Sequence, residues 1–224
     1  MTRVTCWTMI EDASSGDEGA RGRFASMYLP VVRAYIAARW KGSALVGELD
    51  DAVQEVFLEC FRGGGALERA DRDQGGFRPY LYGLVRNVAR RVEERRERAG
   101  NQRHLESLGP VDVESNEESL SKVFDRAWAG AVMRRAAERQ RAMAEAAGEP
   151  ERRRIELLRL HFREGHPIRA IARRWDEDSH RLQREYVKAQ EEFRRALIEE
   201  VGFDQPGPPA AAECECDRLL ELLA

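Results

Sequence analysis

Lysine is nearly missing from this chain: of its 37 basic residues only Lys41, Lys122 and Lys188 are lysines, and the other 34 are arginines. Long apolar runs are missing as well. No stretch approaches the ~18 consecutive apolar residues that a membrane helix needs, and none reads as the apolar core of a signal peptide. Cysteine is scarce, with Cys6, Cys60, Cys214 and Cys216 scattered in a way that makes no disulfide framework. Reduced thiols and a cytoplasmic location are therefore expected. Period-two alternation and β-branched runs are sparse, which argues against sheet and for an all-α chain. Cys214-Glu215-Cys216 is a CxC pair with no matched second pair, so no metal site is expected. There is no phosphate-cradling glycine loop, no nucleophile elbow and no carboxylate pair in a catalytic setting. Neither an enzyme nor a cofactor is expected.

What is present is charge arranged in blocks. The chain of 224 residues has a net charge of −3. Residues 21–99 carry net +4 and residues 123–200 net +3, while 1–20, 100–122 and 201–224 carry −3, −3 and −4. Two basic blocks thus alternate with acidic connectors. Arginine suits phosphate forks and base edges, although solvated helices and a GC-rich genome give the same composition.

Two segments carry the most information. Asp50 to Phe61, DDAVQEVFLECF, reads as an amphipathic helix with Val53, Val56, Phe57, Cys60 and Phe61 as its buried stripe. Asp50, Asp51, Gln54, Glu55, Leu58 and Glu59 fall off that stripe. Phe77 to Arg98, FRPYLYGLVRNVARRVEERRER, reads as a second helix, with Pro79 in its first turn, where a missing N–H costs nothing. Its stripe is Leu81, Leu84, Val85, Val88 and Val92, with Arg86, Asn87, Arg90, Arg91 and Arg98 outside it. Gly63-Gly64-Gly65 and Gly75-Gly76 break the chain between the two.

These two motifs, in this order and at this separation, resemble the second conserved region of bacterial RNA polymerase sigma factors of the extracytoplasmic-function group. The resemblance covers roughly residues 24–201 and is weaker in the second half. It implies that the acidic helix docks the beta-prime clamp of core RNA polymerase through Asp50, Asp51, Gln54, Glu55 and Leu58. It implies that Tyr80, Tyr82, Arg86, Asn87, Arg90 and Arg91 meet the non-template strand of the minus-ten element, with the loop at 63–76 at the rim of a flipped-base pocket. Tyr80 stands where the family often has tryptophan. Without the family, the acidic residues read as a solvated helix face and the two tyrosines as partial core packing.

The second half reads as a further bundle. Phe124, Trp128, Ala131 and Val132 open it, and Pro150 starts a helix carrying Ile155, Leu158 and Phe162. Gly165 ends that helix and His166-Pro167 starts the next, whose stripe is Ile168, Ile171, Ala172 and Trp175. Asp176-Glu177-Asp178 makes a turn, Asp178 or Ser179 caps the last long helix, and its stripe is Leu182, Tyr186, Ala189, Phe193 and Leu197. This is helix-turn-helix order. The family resemblance places minus-thirty-five recognition here, with Ser179, His180, Arg181, Gln183 and Arg184 at base edges and Arg173, Arg174 and Lys188 on phosphates. The sequence departs from the family pattern at Asp176, where a turn glycine is usual, at Glu177, where an apolar residue is usual, and at Gln183 and Glu185, where basic residues are common.

The expected architecture is two small helical bundles joined by a flexible acidic linker. Residues 1–20 are a loose N-terminus in which Trp7, Met9 and Ile10 can dock, and 21–99 form the first bundle, its first helix spanning 24–40. Residues 100–122 are the linker, 123–201 the second bundle with the helix-turn-helix, and 202–224 a tail. The tail holds a short helix at 210–223, with Cys216, Leu219, Leu220 and Leu223 on one side, that docks on the second bundle or meets a regulator. The expected partners are core RNA polymerase through its beta-prime and beta subunits, promoter DNA, and an anti-sigma factor or other regulator of the kind that holds many relatives. The expected role is promoter recognition, DNA melting and transcription initiation. A helix-turn-helix regulator acting without polymerase and a helical adaptor with no DNA role are the alternatives.

Overall fold

Asp17 begins the first long helix by accepting the backbone N–H of Ala20 on its side chain, which satisfies one of the orphan donors of the helix start. The computed structural model describes residues 6–71, 76–101 and 117–223. In chain order these form α1 (Cys6–Ser14), α2 (Glu18–Arg39), a 3-10 turn (Ala44–Glu48), α3 (Leu49–Phe61), α4 (Phe77–Asn101), α5 (Glu117–Ala147), α6 (Glu149–Phe162), α7 (Ile168–Trp175), α8 (Ser179–Asp204) and α9 (Pro209–Glu221). The fold is all-α, with no strand among the described residues. No helix among them is long and apolar enough to cross a membrane.

The chain forms two compact units. The first comprises Met1–Ala131, Phe203–Pro206 and Asp217–Ala224, the second Val132–Gly202 and Gly207–Cys216. The core of the first unit is aromatic. Phe77, at the start of α4, meets Phe24 at 5.6 Å, Tyr28 at 5.2 Å and Trp7 at 6.1 Å between ring centroids. Tyr28 also stacks on Trp128 of α5 at 5.3 Å, and Phe124 meets Tyr35 and Tyr82 edge-on. Such pairs add ~0.5–1.5 kcal/mol each beyond the area they bury. The stripes expected in α3 and α4 face this core: Val53, Val56, Cys60, Leu81, Val85, Val88 and Val92 are buried.

Expectations about the first half of the chain and its boundary need correction. The N-terminus is not loose from residue 6 onward, because α1 buries Cys6, Trp7, Met9, Ile10 and Ala13. The helix expected at 24–40 begins at Glu18, where Asp17 supplies a cap that apolar periodicity does not register. The linker's residues 102–116 lie outside the described residues, but 117–122 are the first turns of α5. Phe124 and Trp128 close the core of the first unit instead of opening the second, so the boundary falls inside α5.

The second unit packs α6, α7 and α8 around Leu157, Leu160, Ile168, Ile171, Ala172 and Leu182, with Trp175 and Tyr186 against them. Here the stripe expected for α6 is displaced. Arg154, Leu157 and Leu160 are buried, while Phe162 is 67% exposed. Arg154 is the cause: its guanidinium gathers Glu151, Glu185 and Glu192, and an arginine with three carboxylates can be buried where a lone one cannot. The expected tail helix forms as α9, with Cys216 and Leu219 buried and Leu220 and Leu223 half-exposed. Its last turns join the first unit, where Arg126 Nε donates to Leu222 O at 3.1 Å.

Candidate nucleic-acid interface

The outer face of α3 carries Asp50, Asp51, Gln54 and Leu58, all exposed, Leu58 to 63%. Asp50 pairs with Arg33 of α2. Asp50 and Asp51 also sit in the first turn of α3, where negative charge complements the helix dipole. Glu55 belongs to a different set. It takes both guanidinium nitrogens of Arg95, at 3.1 and 2.6 Å, and Arg91 lies 4.0 Å away. The hydrogen bonds from Arg95 outweigh the effect of burial and hold the Glu55 carboxyl below the ordinary carboxylate range. Glu55 therefore clasps α3 to α4 and is not available in the way its neighbours are.

The set on α4 expected to meet the strand divides in two. Asn87, Arg90 and Arg91 are exposed. Tyr80, Tyr82 and Arg86 are half-buried and engaged. Tyr80 packs on Phe77 and donates its hydroxyl to Ala66 O, so it pins the loop after α3. Residues 72–75 of that loop lie outside the described residues. Tyr82 is edge-on to Tyr35 and Phe124 and donates its hydroxyl to Glu117 Oε2 at 3.1 Å. Burial first, then the neighbouring Tyr35 and Glu117, push the Tyr82 phenol up to about 12.

Sequence reasoning missed the group at the centre of this face. Arg39 of α2, its side chain 2% exposed, donates through Nε and Nη2 to both oxygens of Glu93, at 2.7 and 2.9 Å. Trp40 Nε1 adds a third bond to Glu93 at 2.8 Å. Arg39 Nη1 reaches Glu117 Oε1 at 3.0 Å. On the other side Glu117 Oε2 lies 3.2 Å from Arg86 Nε, but off the N–H direction, so that buried donor has no hydrogen-bond partner among the described residues. A cleft of about 280 Å³ opens here, lined by Arg39, Arg86, Arg90, Glu93, Glu94, Glu97 and Glu117. Arg39 stood at the end of a helix read only for its apolar stripe, and Glu117 stood in a segment read as linker. Neither carried a periodic signal that would have flagged it.

In the second unit the turn between α7 and α8 accommodates its three acids individually. Asp176 takes the left-handed conformation, φ 53°, in the position a glycine usually fills at a helix end. The backbone N–H of Glu177 reaches back to Ala172 O at 2.9 Å and closes the helix end. Glu177 pairs with Arg153 at 2.6 Å, and Arg153 lies over the Trp175 ring at 4.7 Å. Asp178 caps α8 by accepting the backbone N–H of Arg181 at 2.8 Å. Arg173, Arg174, His180, Arg181, Gln183 and Arg184 are exposed, with Ser179 half-buried among them. None of the four arginines forms an ion pair among the described residues. Lys188 is exposed but bonded to Glu185 at 2.8 Å, and Glu185 also holds Arg154.

No family model, no curated protein and no solved structure matches this chain.

Proposed function

We propose that this chain is a dissociable promoter-specificity subunit that binds core RNA polymerase and directs promoter recognition, melting and transcription initiation. The observation that carries this reading is the chemistry of two neighbouring helices in one unit. The exposed Asp51, Gln54 and Leu58 of α3 form an acidic face with an apolar centre, and α4 beside it presents Asn87, Arg90 and Arg91 to solvent. An acidic face with one exposed leucine suits a basic protein partner, because charge steers the encounter and the apolar residue supplies the buried contact. Arginines and an asparagine suit phosphate and base edges. The second unit would add a helix-turn-helix, with α7 and α8 as its pair and the arginine row for duplex contacts at the minus-thirty-five element. The domain roles follow: α1–α4 for polymerase and minus-ten DNA, α6–α8 for minus-thirty-five DNA.

The test is co-elution with bacterial core RNA polymerase followed by promoter-dependent transcription, with wild type compared with Asp51→Arg plus Leu58→Asp. Glu55 is left in place because its loss would open the α3–α4 clasp and confuse binding with folding. Co-elution by wild type and its loss in the double variant is the expected result. Failure of folded wild type to co-elute at low and moderate salt would sink the reading. The exposed arginine row of α7 and α8 favours a second reading in that event, a helix-turn-helix regulator that binds duplex DNA alone.

A further inference from the structure

The α4 face proposed above for the melted strand is already occupied. Glu117, in the first turn of α5, holds Tyr82 by a hydrogen bond and Arg86 by charge, two of the six residues assigned to that strand. Leu120, Phe124 and Trp128 follow on the same helix and are buried in the first unit. The cleft beside them counts three arginines against four glutamates, so with Glu117 in place it repels a polyanion. Without Glu117 the count is three against three, so this one carboxylate tips the lining from balance to net negative. One carboxylate therefore both fills the site and sets its sign.

We infer that Glu117 is an internal stand-in for a strand phosphate, and that the first turns of α5 must leave α2 and α4 before Tyr82, Arg86 and Arg39 can hold single-stranded DNA. The inference rests on the assignment of α4 to the strand. A phosphate has the oxygens to take the same three partners: the Arg39 Nη1 that Glu117 now accepts from, the Tyr82 hydroxyl, and the Arg86 Nε that Glu117 leaves without a hydrogen bond. That last donor distinguishes the arrangement from a finished structural ion pair, in which each buried N–H would be satisfied. Release of Glu117 leaves the junction of α2 and α4 in place, because Arg39 keeps both bonds to Glu93 and the Glu93 carboxylate keeps Trp40.

The experiment measures binding of a fluorescently labelled single-stranded oligodeoxynucleotide to the full chain by anisotropy, in wild type, Glu117→Gln and Glu117→Gln plus Arg86→Ala, each checked for helicity and melting temperature. Glu117→Gln should tighten binding about tenfold, equivalent to ~1.4 kcal/mol. Arg86→Ala in that background should return it to the wild-type level. In wild type saturated with oligonucleotide at low salt, amide hydrogen exchange over residues 117–128 should accelerate, a readout that does not depend on any variant folding. Unchanged affinity in Glu117→Gln, tightening that survives Arg86→Ala, or unchanged exchange in the bound wild type would each overturn the inference. If polymerase co-elution still follows the α3 face in those cases, the latch fails and the promoter-specificity reading stands. Loss of both co-elution and strand binding overturns both.

Discussion

Asp176 shows how one side chain can stand in for a missing glycine. The left-handed backbone at φ 53° costs an ordinary L-residue ~1–2 kcal/mol, and aspartate less, because its short polar side chain bonds locally. The turn between α7 and α8 therefore closes without the glycine that such a helix end usually carries. Asp176→Gly should raise stability by about 0.5 kcal/mol, since it removes the remaining strain at some entropic cost. Asp176→Val should lower it by about 1–2 kcal/mol, because a β-branched residue is a genuine outlier there. Urea melts of the two variants check both signs, and a Val variant as stable as wild type would show that the turn relaxes to another conformation. The Cys60 thiol illustrates the opposite case. Burial pushes it up to about 12 and leaves it inert, so its place in α3 is one of packing, as its apolar spacing indicated.

Among the helices, legibility followed apolar periodicity closely and polar burial hardly at all. The stripes of α3, α4, α7 and α8 were readable because apolar residues recur along one face, although α3 also buries Glu59, which spacing had put outside its stripe and which Arg62 and Arg69 neutralise. The stripe of α6 was misread because Arg154 takes a core position, and nothing local in the sequence says that Glu185 and Glu192, a helix away, neutralise it. Likewise α5 carries a strong aromatic pair, Phe124 and Trp128, but its sequence does not say which core receives them. For the candidate surfaces the same limit holds: spacing alone finds which residues leave the stripe, and it does not separate the engaged Glu55, Tyr82 and Arg86 from the exposed Asp51, Asn87 and Arg90. The attachment of α5 should respond to pH in a definite way. Burial pushes the Glu117 carboxyl up, but the hydrogen bond from Arg39, the charge of Arg86 and the Tyr82 hydroxyl outweigh it and hold the group below the ordinary carboxylate range. A depressed folded value means that the stabilisation is complete above that range and is lost as pH falls through it. Tyr82 sets the other limit, since a phenol raised to about 12 gives stability that fades as pH climbs past the usual phenol range. Glu117→Gln should make the acid limb shallower, leaving the share of Glu55 and the other depressed carboxylates, and should bring the alkaline limb to lower pH, because the Glu117 charge helps hold the Tyr82 phenol up. Trp fluorescence and urea melts over a pH series resolve the two limbs, and an acid limb identical in wild type and variant would assign it to other carboxylates.

For the molecule as a whole, the net charge of −3 sets the terms of any encounter with nucleic acid. A chain with that balance has no long-range attraction for DNA, so binding has to come from the places where arginine is concentrated and unpaired. Several arginines among the described residues are held in internal ion pairs, as Arg39, Arg95 and Arg154 are, whereas the row on α7 and α8 is exposed along one helix pair. Each phosphate contact contributes about −0.9 to the slope of log K against log salt concentration on duplex DNA. If Arg173 and Arg184 hold phosphates, replacing both with alanine should make that slope shallower by about 1.8 and weaken binding similarly across unrelated duplex sequences. Arg181, placed at the first turns of α8 as a base-edge candidate, should behave differently: its alanine variant should weaken binding to a preferred sequence by ~1–3 kcal/mol while other duplexes are barely affected. The measurement is duplex binding by the full chain over a salt series, with wild type and the two variants side by side. An unchanged slope in the double variant would take Arg173 and Arg184 out of contact with the phosphate backbone.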